Sequence, residues 1–282
     1  MAGLSSKAIK TKIKSMASTK QITKAMELVA SSKLRSAQNK AISSRPYFSA
    51  LYEAMSEIVD SSPIFASPYL KKPAAGRSVW IVIAGDRGLA GGYNNNILKL
   101  AWSRMENDDP IVLPIGKKAV EFFHRRGAEI LTERYAEAAA VSIGYCYTIA
   151  NLLAEGFLAG RYSSIHLAYT NFTSMLSQQP ATLELLPLTM HRQPSQRRQE
   201  ILYESGSESV FNAIVPEYLG GLIYGAMCES TASEQAARRT AMDAASKNAD
   251  EIISQLNLQY NRARQGAITQ EITEIVAGSE QS

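Results

Sequence analysis

Two rhythms of apolar and polar positions divide this chain. From Lys7 to about Arg45 there is no Gly or Pro. There Ile9, Ile13 and Met16, then Ile22, Met26 and Val29, step by threes and fours, with Thr19 in the gap. Ala30, Ala37 and Ala41 continue the stripe, which is the spacing of an amphipathic helix. Arg45-Pro46 predicts a kink or local break, because proline removes a helix hydrogen bond and crowds the preceding turn. Tyr47, Leu51, Met55 and Ile58 then resume the period, and a loop with Pro63, Pro68, Pro73 and Gly76 closes the section.

The middle of the chain alternates short apolar runs with helical patterns. Residues 78–84 (SVWIVIA) read as a strand buried on both faces, followed by the glycine-rich turn GDRGLAGG. A helix pattern runs from Tyr93 to about Met105, a strand over 111–115, and a helix over Lys117–Arg126 closed by Gly127. A further helix spans 143–159 and ends at Gly160; strands follow at 164–170 and, as a possible last one, 181–186. This alternation predicts a mainly parallel sheet covered on both faces.

Residues 189–209 are polar and read as a linker. Beyond them Phe211, Val215, Leu219, Leu222 and Ala226 form a stripe disturbed by Pro216 and Gly220-Gly221. Met242, Ala245, Ala249, Ile252, Leu256, Tyr260, Ala263 and Ala267 carry the helical period onward. The stretch from Ser233 to Val276 alone spans about 65 Å as a helix. Neither terminal helix can bury its stripe against itself. The economical solution is an antiparallel two-helix coiled coil with a Rossmann-like α/β domain inserted between its strands. The alternative is two separate amphipathic helices folded onto the α/β core. The expected divisions are residues 1–60 and 209–282 for the coiled-coil helices, 77–187 for the α/β domain and 188–208 for a linker or foot.

Composition adds a charge asymmetry. Of the 282 residues, 1–45 carry ten Lys or Arg and one acid, Glu27, although the net charge is only +4. Such a segment expects an acidic protein surface, nucleic acid or anionic lipid. Apolar runs such as 79–84 and 219–228 fall far short of the ~20 residues that span a bilayer. The N-terminus has no apolar signal core. Cys146 and Cys228 are far apart in sequence, without metal or redox spacing, and read as reduced thiols of an intracellular protein. The turn GDRGLAGG sits where phosphate loops occur but has neither the GxGxxG order nor GxxxxGK[ST]; the competing reading is a tight strand-to-helix turn with Asp86 and Arg87 paired or facing a neighbouring subunit. Gly116-Lys117 opens a helix and is a weaker anion candidate. His124, His166 and His191 have no metal spacing. A nucleotide-binding α/β enzyme with helical extensions and a basic coiled coil that binds nucleic acid stand as rivals to a protein-binding shaft.

Residues 20–38 (KQITKAMELVASSKLRSAQ), DRGLAGGYN, SEQAARRTAMDAA and YNRARQGAITQEITEIV closely resemble the gamma subunits of F-type ATP synthases, and the resemblance runs essentially end to end. It implies a rotor: a coiled coil in the bore of a hexamer of alternating alpha and beta subunits. The α/β domain and foot would lie beside the epsilon subunit and the c ring. The resemblance also implies no catalytic residue, metal or cofactor in this chain, no nucleic-acid partner, and a peripheral location on the cytoplasmic face of the bacterial plasma (inner) membrane. Met26, Arg238, Arg264, Gln265, Thr269 and Glu271 match positions that contact beta. Tyr203 and Glu204 match foot positions on the c ring and epsilon. Ala90 stands where the family often has cysteine, and the inserted cysteine-bearing segment of chloroplast-type members is missing. The lack of a transit peptide before Met1 leads to the expectation of a bacterial source. Equal rise in two antiparallel strands predicts Met26 level with Arg238, Ile9 level with roughly residue 255, and the last ~20 residues unpaired.

Overall fold

The computed structural model describes residues 6–61, 65–105, 109–190 and 206–279. Two helices dominate it, α1 (Ser6–Ser61) and α5 (Ser207–Ser279), and both contribute to two compact units. One unit combines the chain up to Ser31 with the chain from Arg238 onward; the other is Ser32–Ala237.

The larger unit is built on a five-stranded sheet in the order β3-β2-β1-β4-β5. Its strands are β1 (Arg77–Ile83), β2 (Ile111–Ile115), β3 (Glu129–Ile130), β4 (Tyr162–Phe172) and β5 (Gln178–Leu186). Three pairings are parallel and the last, β4 with β5, is antiparallel. A five-residue turn joins β4 and β5, too short for the crossover a parallel pair requires. β3 is only two residues long, beneath any sequence period.

Alternation along β1 divides the core. Trp80, Val82 and Ala84 face α2 (Tyr93–Met105) and α3 (Lys117–His124), where they meet Ile97, Ala101, Met105 and Phe123. Val79, Ile81 and Ile83 face the other way. Their cluster includes Ile149, Leu153 and Phe157 of α4 (Ile143–Leu158), Met55 and Ile58 of α1, and Phe211, Val215, Leu219 and Ile223 of α5. The β1 run is continuous because both faces are covered.

Of the kink or local break expected at Pro46, the break is not there: α1 is helical through it. Pro46 and Ile42, whose carbonyl the proline nitrogen cannot serve, are both exposed, so water can reach the defect. α5 likewise continues through Pro216 and Gly220-Gly221. The two glycines are notches. A Cβ on Gly220 would overlap the Tyr147 ring of α4, and one on Gly221 would overlap the Phe48 ring of α1. Their missing side chains permit packing that offsets their low helix propensity.

In the smaller unit the helices pair antiparallel. The Thr23 and Ser246 hydroxyls lie 2.7 Å apart, and Lys20 Nζ lies 2.6 Å from the Asp250 carboxylate. Carried along at equal rise, this register sets Met26 level with about residue 243, Ile9 with about residue 260, and Arg238 with about residue 31. The levels expected from sequence are thus displaced by about five residues. An alanine-rich seam is permissive about sliding, and the polar pairs choose the register.

The seam itself also differs from the sequence stripe. Ile9, Thr23, Glu27 and Ala30 are buried, while Ile22 and Val29 are 61% and 55% exposed. Positions 9, 13, 16, 20, 23, 27, 30, 34 and 37 alternate steps of four and three without a fault, which is the coiled-coil heptad. Following only the apolar letters left that line at Thr19 and Ile22.

Candidate functional site

The glycine-rich turn after β1 is where a doubly wound sheet would hold a phosphate. Here Asp86 holds that place. Its carboxylate accepts hydrogen bonds from the backbone N–H of Lys117 at the start of α3 (3.2 Å), Ala138 (2.8 Å) and Ala139 (3.1 Å). Asn94 closes the turn from the other side, accepting from Gly85 N–H (2.8 Å) and donating to the Arg87 carbonyl (3.1 Å). Gly116 has φ +98°, and a Cβ there would run into the Ala84 carbonyl. The chain thus supplies its own anion to the α3 N-terminus. This is the tight strand-to-helix turn, with Asp86 partnered by backbone amides, and it answers the Gly116-Lys117 anion candidate as well.

Among the described residues no group of His, Cys, Asp and Glu is arranged to hold a metal ion. The thiols are buried, and burial pushes the Cys146 thiol up to about 12, with a further contribution from Cys228.

The candidate contact surface is on the helix pair. Around its polar seam the outer face of α1 combines apolar and cationic side chains. Ile22, Ala25, Met26 and Val29 share one helical face, with Met26 half-buried and the others exposed. Lys24, exposed beside them, pairs with Glu27 at 2.8 Å. Arg238, half-buried, lies about five residues from the level of Met26.

From about residue 264 no residue of α1 stands level with α5 among the described residues. Every described side chain from Arg264 to Val276 is exposed. Arg264, Ile268, Glu271 and Ile275 follow one face. Gln265, Thr269, Ile272 and Val276 follow the next, where the Thr269 hydroxyl donates to the Gln265 carbonyl at 2.9 Å. Ile272 is 56% and Ile275 72% exposed. The structure therefore gathers Arg264, Gln265, Thr269 and Glu271 on one bare helix end. Met26 and Arg238 lie elsewhere on the same unit. Tyr203 and Glu204 lie outside the described residues. Sequence reasoning placed Ile22 and Val29 in the seam; the unbroken heptad was the signal that turns them outward.

A bare-ended antiparallel helix pair and an α/β unit whose glycine-rich turn is closed by Asp86 define the class by fold: two long terminal helices with an inserted α/β domain. The ATP synthase family model matches residues 5–281. The ATP synthase gamma chain of Ruminococcus albus is 44% identical over 278 residues, 97% of each chain. That of Lachnoclostridium phytofermentans is 40% identical, covering 96% of this chain and 97% of the relative. The sodium ion specific gamma chain of Acetobacterium woodii is 38% identical with the same coverage. A chain of the Euglena gracilis mitochondrial ATP synthase OSCP/F1/c-ring structure shares the fold with a TM-score of 0.64 at 17% identity, covering 98% of this chain and 93% of that one. A chain of the Tetrahymena thermophila ATP synthase central stalk/c-ring structure does so with 0.57 at 23% identity, covering 80% and 99%. This chain belongs to the family of ATP synthase gamma chains.

Proposed function

We infer that this chain is the central-stalk rotor of a rotary ATP synthase, coupling ion-driven turning of a c ring to ATP synthesis or hydrolysis on beta subunits. The observation that carries the reading is the end of α5, a helix with Ile268, Ile272, Ile275 and Val276 open to solvent and no α1 residue beside it among the described residues. An apolar, single helix end calls for a surrounding sleeve, which the bore of an alpha–beta hexamer supplies.

In this reading Met26 and Arg238 meet beta lever loops on the shaft, and Arg264, Gln265, Thr269 and Glu271 meet beta near the tip. Tyr203 and Glu204 meet the c ring and epsilon. The exposed lysines of α1 suit acidic loops, since many exposed ion pairs of roughly 0–1 kcal/mol each guide without arresting rotation. The chain contributes no catalytic residue and takes no cofactor. It sits at the cytoplasmic face of the bacterial plasma membrane, peripheral through the membrane sector.

The test is reconstitution. Membranes lacking their own gamma chain are supplied with this chain together with alpha, beta and epsilon, and ATP-driven ion pumping is measured. Full-length chain restores pumping; chain lacking residues 233–282 does not. Undiminished pumping without that segment overturns the reading. Micromolar binding of ATP or NAD by the purified chain in calorimetry would favour the enzyme reading instead.

A further inference from the structure

β1 pairs with β4 only as far as Val82 opposite Ala168, yet β4 continues to Phe172. Beyond that point the edge of β4 on the β1 side has no strand beside it among the described residues. At Thr170 helix α5 fills the gap. The Thr170 N–H donates to Ser230 Oγ at 3.1 Å, and Ser233 Oγ donates to the Thr170 carbonyl at 3.2 Å. All three residues are buried, Ser233 completely. The two hydroxyls, three positions apart on one helix face, satisfy both backbone groups of a single strand residue, as a neighbouring strand would.

The same turn of α5 is held on other sides. Glu234 lies against the glycine-rich turn; a Cβ on Gly85 would come within 2.8 Å of its carboxylate. Ala232 and Ala236 pack with Leu34 and Ala37 of α1, and Phe172 and Met175 of the β4–β5 hairpin close over them. Residues 230–236 therefore bond to the sheet through polar atoms and pack on α1 through apolar ones.

Apolar contacts resist separation, but they are non-directional and tolerate sliding. Hydrogen bonds to a fixed strand residue resist both translation of the helix along its axis and rotation about it. We propose that Ser230 and Ser233 form a clamp on Thr170 that passes torque between the α/β sheet and helix α5. These serines are positioning residues for coupling. The proposal rests on the rotor reading above and adds the place where load crosses from sheet to helix.

The experiment uses the reconstituted complex and reads three quantities: subunit composition, ATP hydrolysis, and ions pumped per ATP hydrolysed. In complexes carrying Ser230→Ala with Ser233→Ala, hydrolysis stays within about twofold of wild type while ions per ATP fall about threefold or more, because both Thr170 backbone groups lose their partners. Where the double variant does not assemble, Ser233→Ala alone is read in the same way. Ser230→Thr with Ser233→Thr keeps the hydroxyls and restores the ratio. Leu219→Ala, which removes a core side chain of α5 away from the clamp, lowers the yield of complex but leaves ions per ATP unchanged. A wild-type ratio in the assembled serine variants overturns the clamp. So does an equal fall in the Leu219→Ala complex, which would mean general softening. Failure of the unaltered chain to restore pumping is a separate outcome, and it overturns the rotor reading and the clamp together.

Discussion

The two units share the same pair of helices and are held by opposite means. In Ser32–Ala237 large side chains such as Phe123, Phe157, Phe211 and Met55 are fully buried between helices and sheet. In the helix pair the buried set is small or polar: Ala30, Ala249, Thr23, Glu27 and Ser246, with Ile9 and Met242. One unit obtains stability from area and shape. The other has little area, and polar contacts select its register. A partner-facing shaft has a use for this inversion: polar groups in the seam leave Ile22 and Val29 free for its outside.

The sharpest break of this comparison is to delete one large side chain from each unit and follow urea denaturation. Phe211→Ala should cost the larger unit about 3–5 kcal/mol, whereas Ile9→Ala should cost about 2 kcal/mol or less, because a thin helix pair can close over the space. Equal losses would erase the distinction.

Asp86→Ala tests polar satisfaction inside the larger unit. It leaves the amides of Lys117, Ala138 and Ala139 without their acceptor, for an expected loss of about 2–3 kcal/mol. Millimolar sulfate, too dilute for its general salting effect, should then raise the melting temperature of the variant and leave wild type unchanged. An unresponsive variant would mean that the carboxylate does not stand in an anion site.

In the seam, the Thr23 hydroxyl donates to the Lys20 carbonyl, so Ser246 donates to Thr23. Ser246→Ala or Thr23→Val alone should each cost about 1 kcal/mol, and the two together little more than either. A double-mutant cycle followed by hydrogen exchange measures the coupling. Strict additivity would remove this pair as the determinant of register.

The smallest effect is on the surface of α5. Lys247 hydrogen-bonds Asp243 at 2.7 Å, holding the Asp243 carboxyl below its ordinary value of 3.8. A depressed native value places the contribution above the unfolded value and removes it as pH falls through the native one. Asp243→Asn should therefore exchange slightly faster than wild type near about pH 7 at low salt, and indistinguishably near about pH 2. A difference that survives acid would point to another cause.

Much of this was legible in order of locality. Helical spacing marked α1 and α5, and apolar runs punctuated by Gly127 and Gly160 marked most of the α/β layers. Glycine at these two helix ends adopts φ +66° and +70°, a conformation that belongs to the residue itself. Neither Pro46 nor Pro216 ends its helix, because a helix fixed along its length by packing carries a local defect. β3 escaped notice because two residues have no period. The candidate contacts at the end of α5 were grouped by motif, while the outward face of α1 was misread.

The sequence by itself determined two long helices, an inserted α/β layer and the antiparallel sense of the pair. These follow from periodicity and from a chain that leaves along one helix and returns along the other. Only the tertiary structure decided that Thr23 meets Ser246, that Glu27 lies inside and Ile22 outside, that Asp86 closes its own glycine-rich turn, and that Ser230 and Ser233 complete the edge of β4. The hydrogen-bonded choices among these join residues 31 to 223 apart in the chain. Periodicity states which face is buried; the few polar atoms that must be satisfied there state against what.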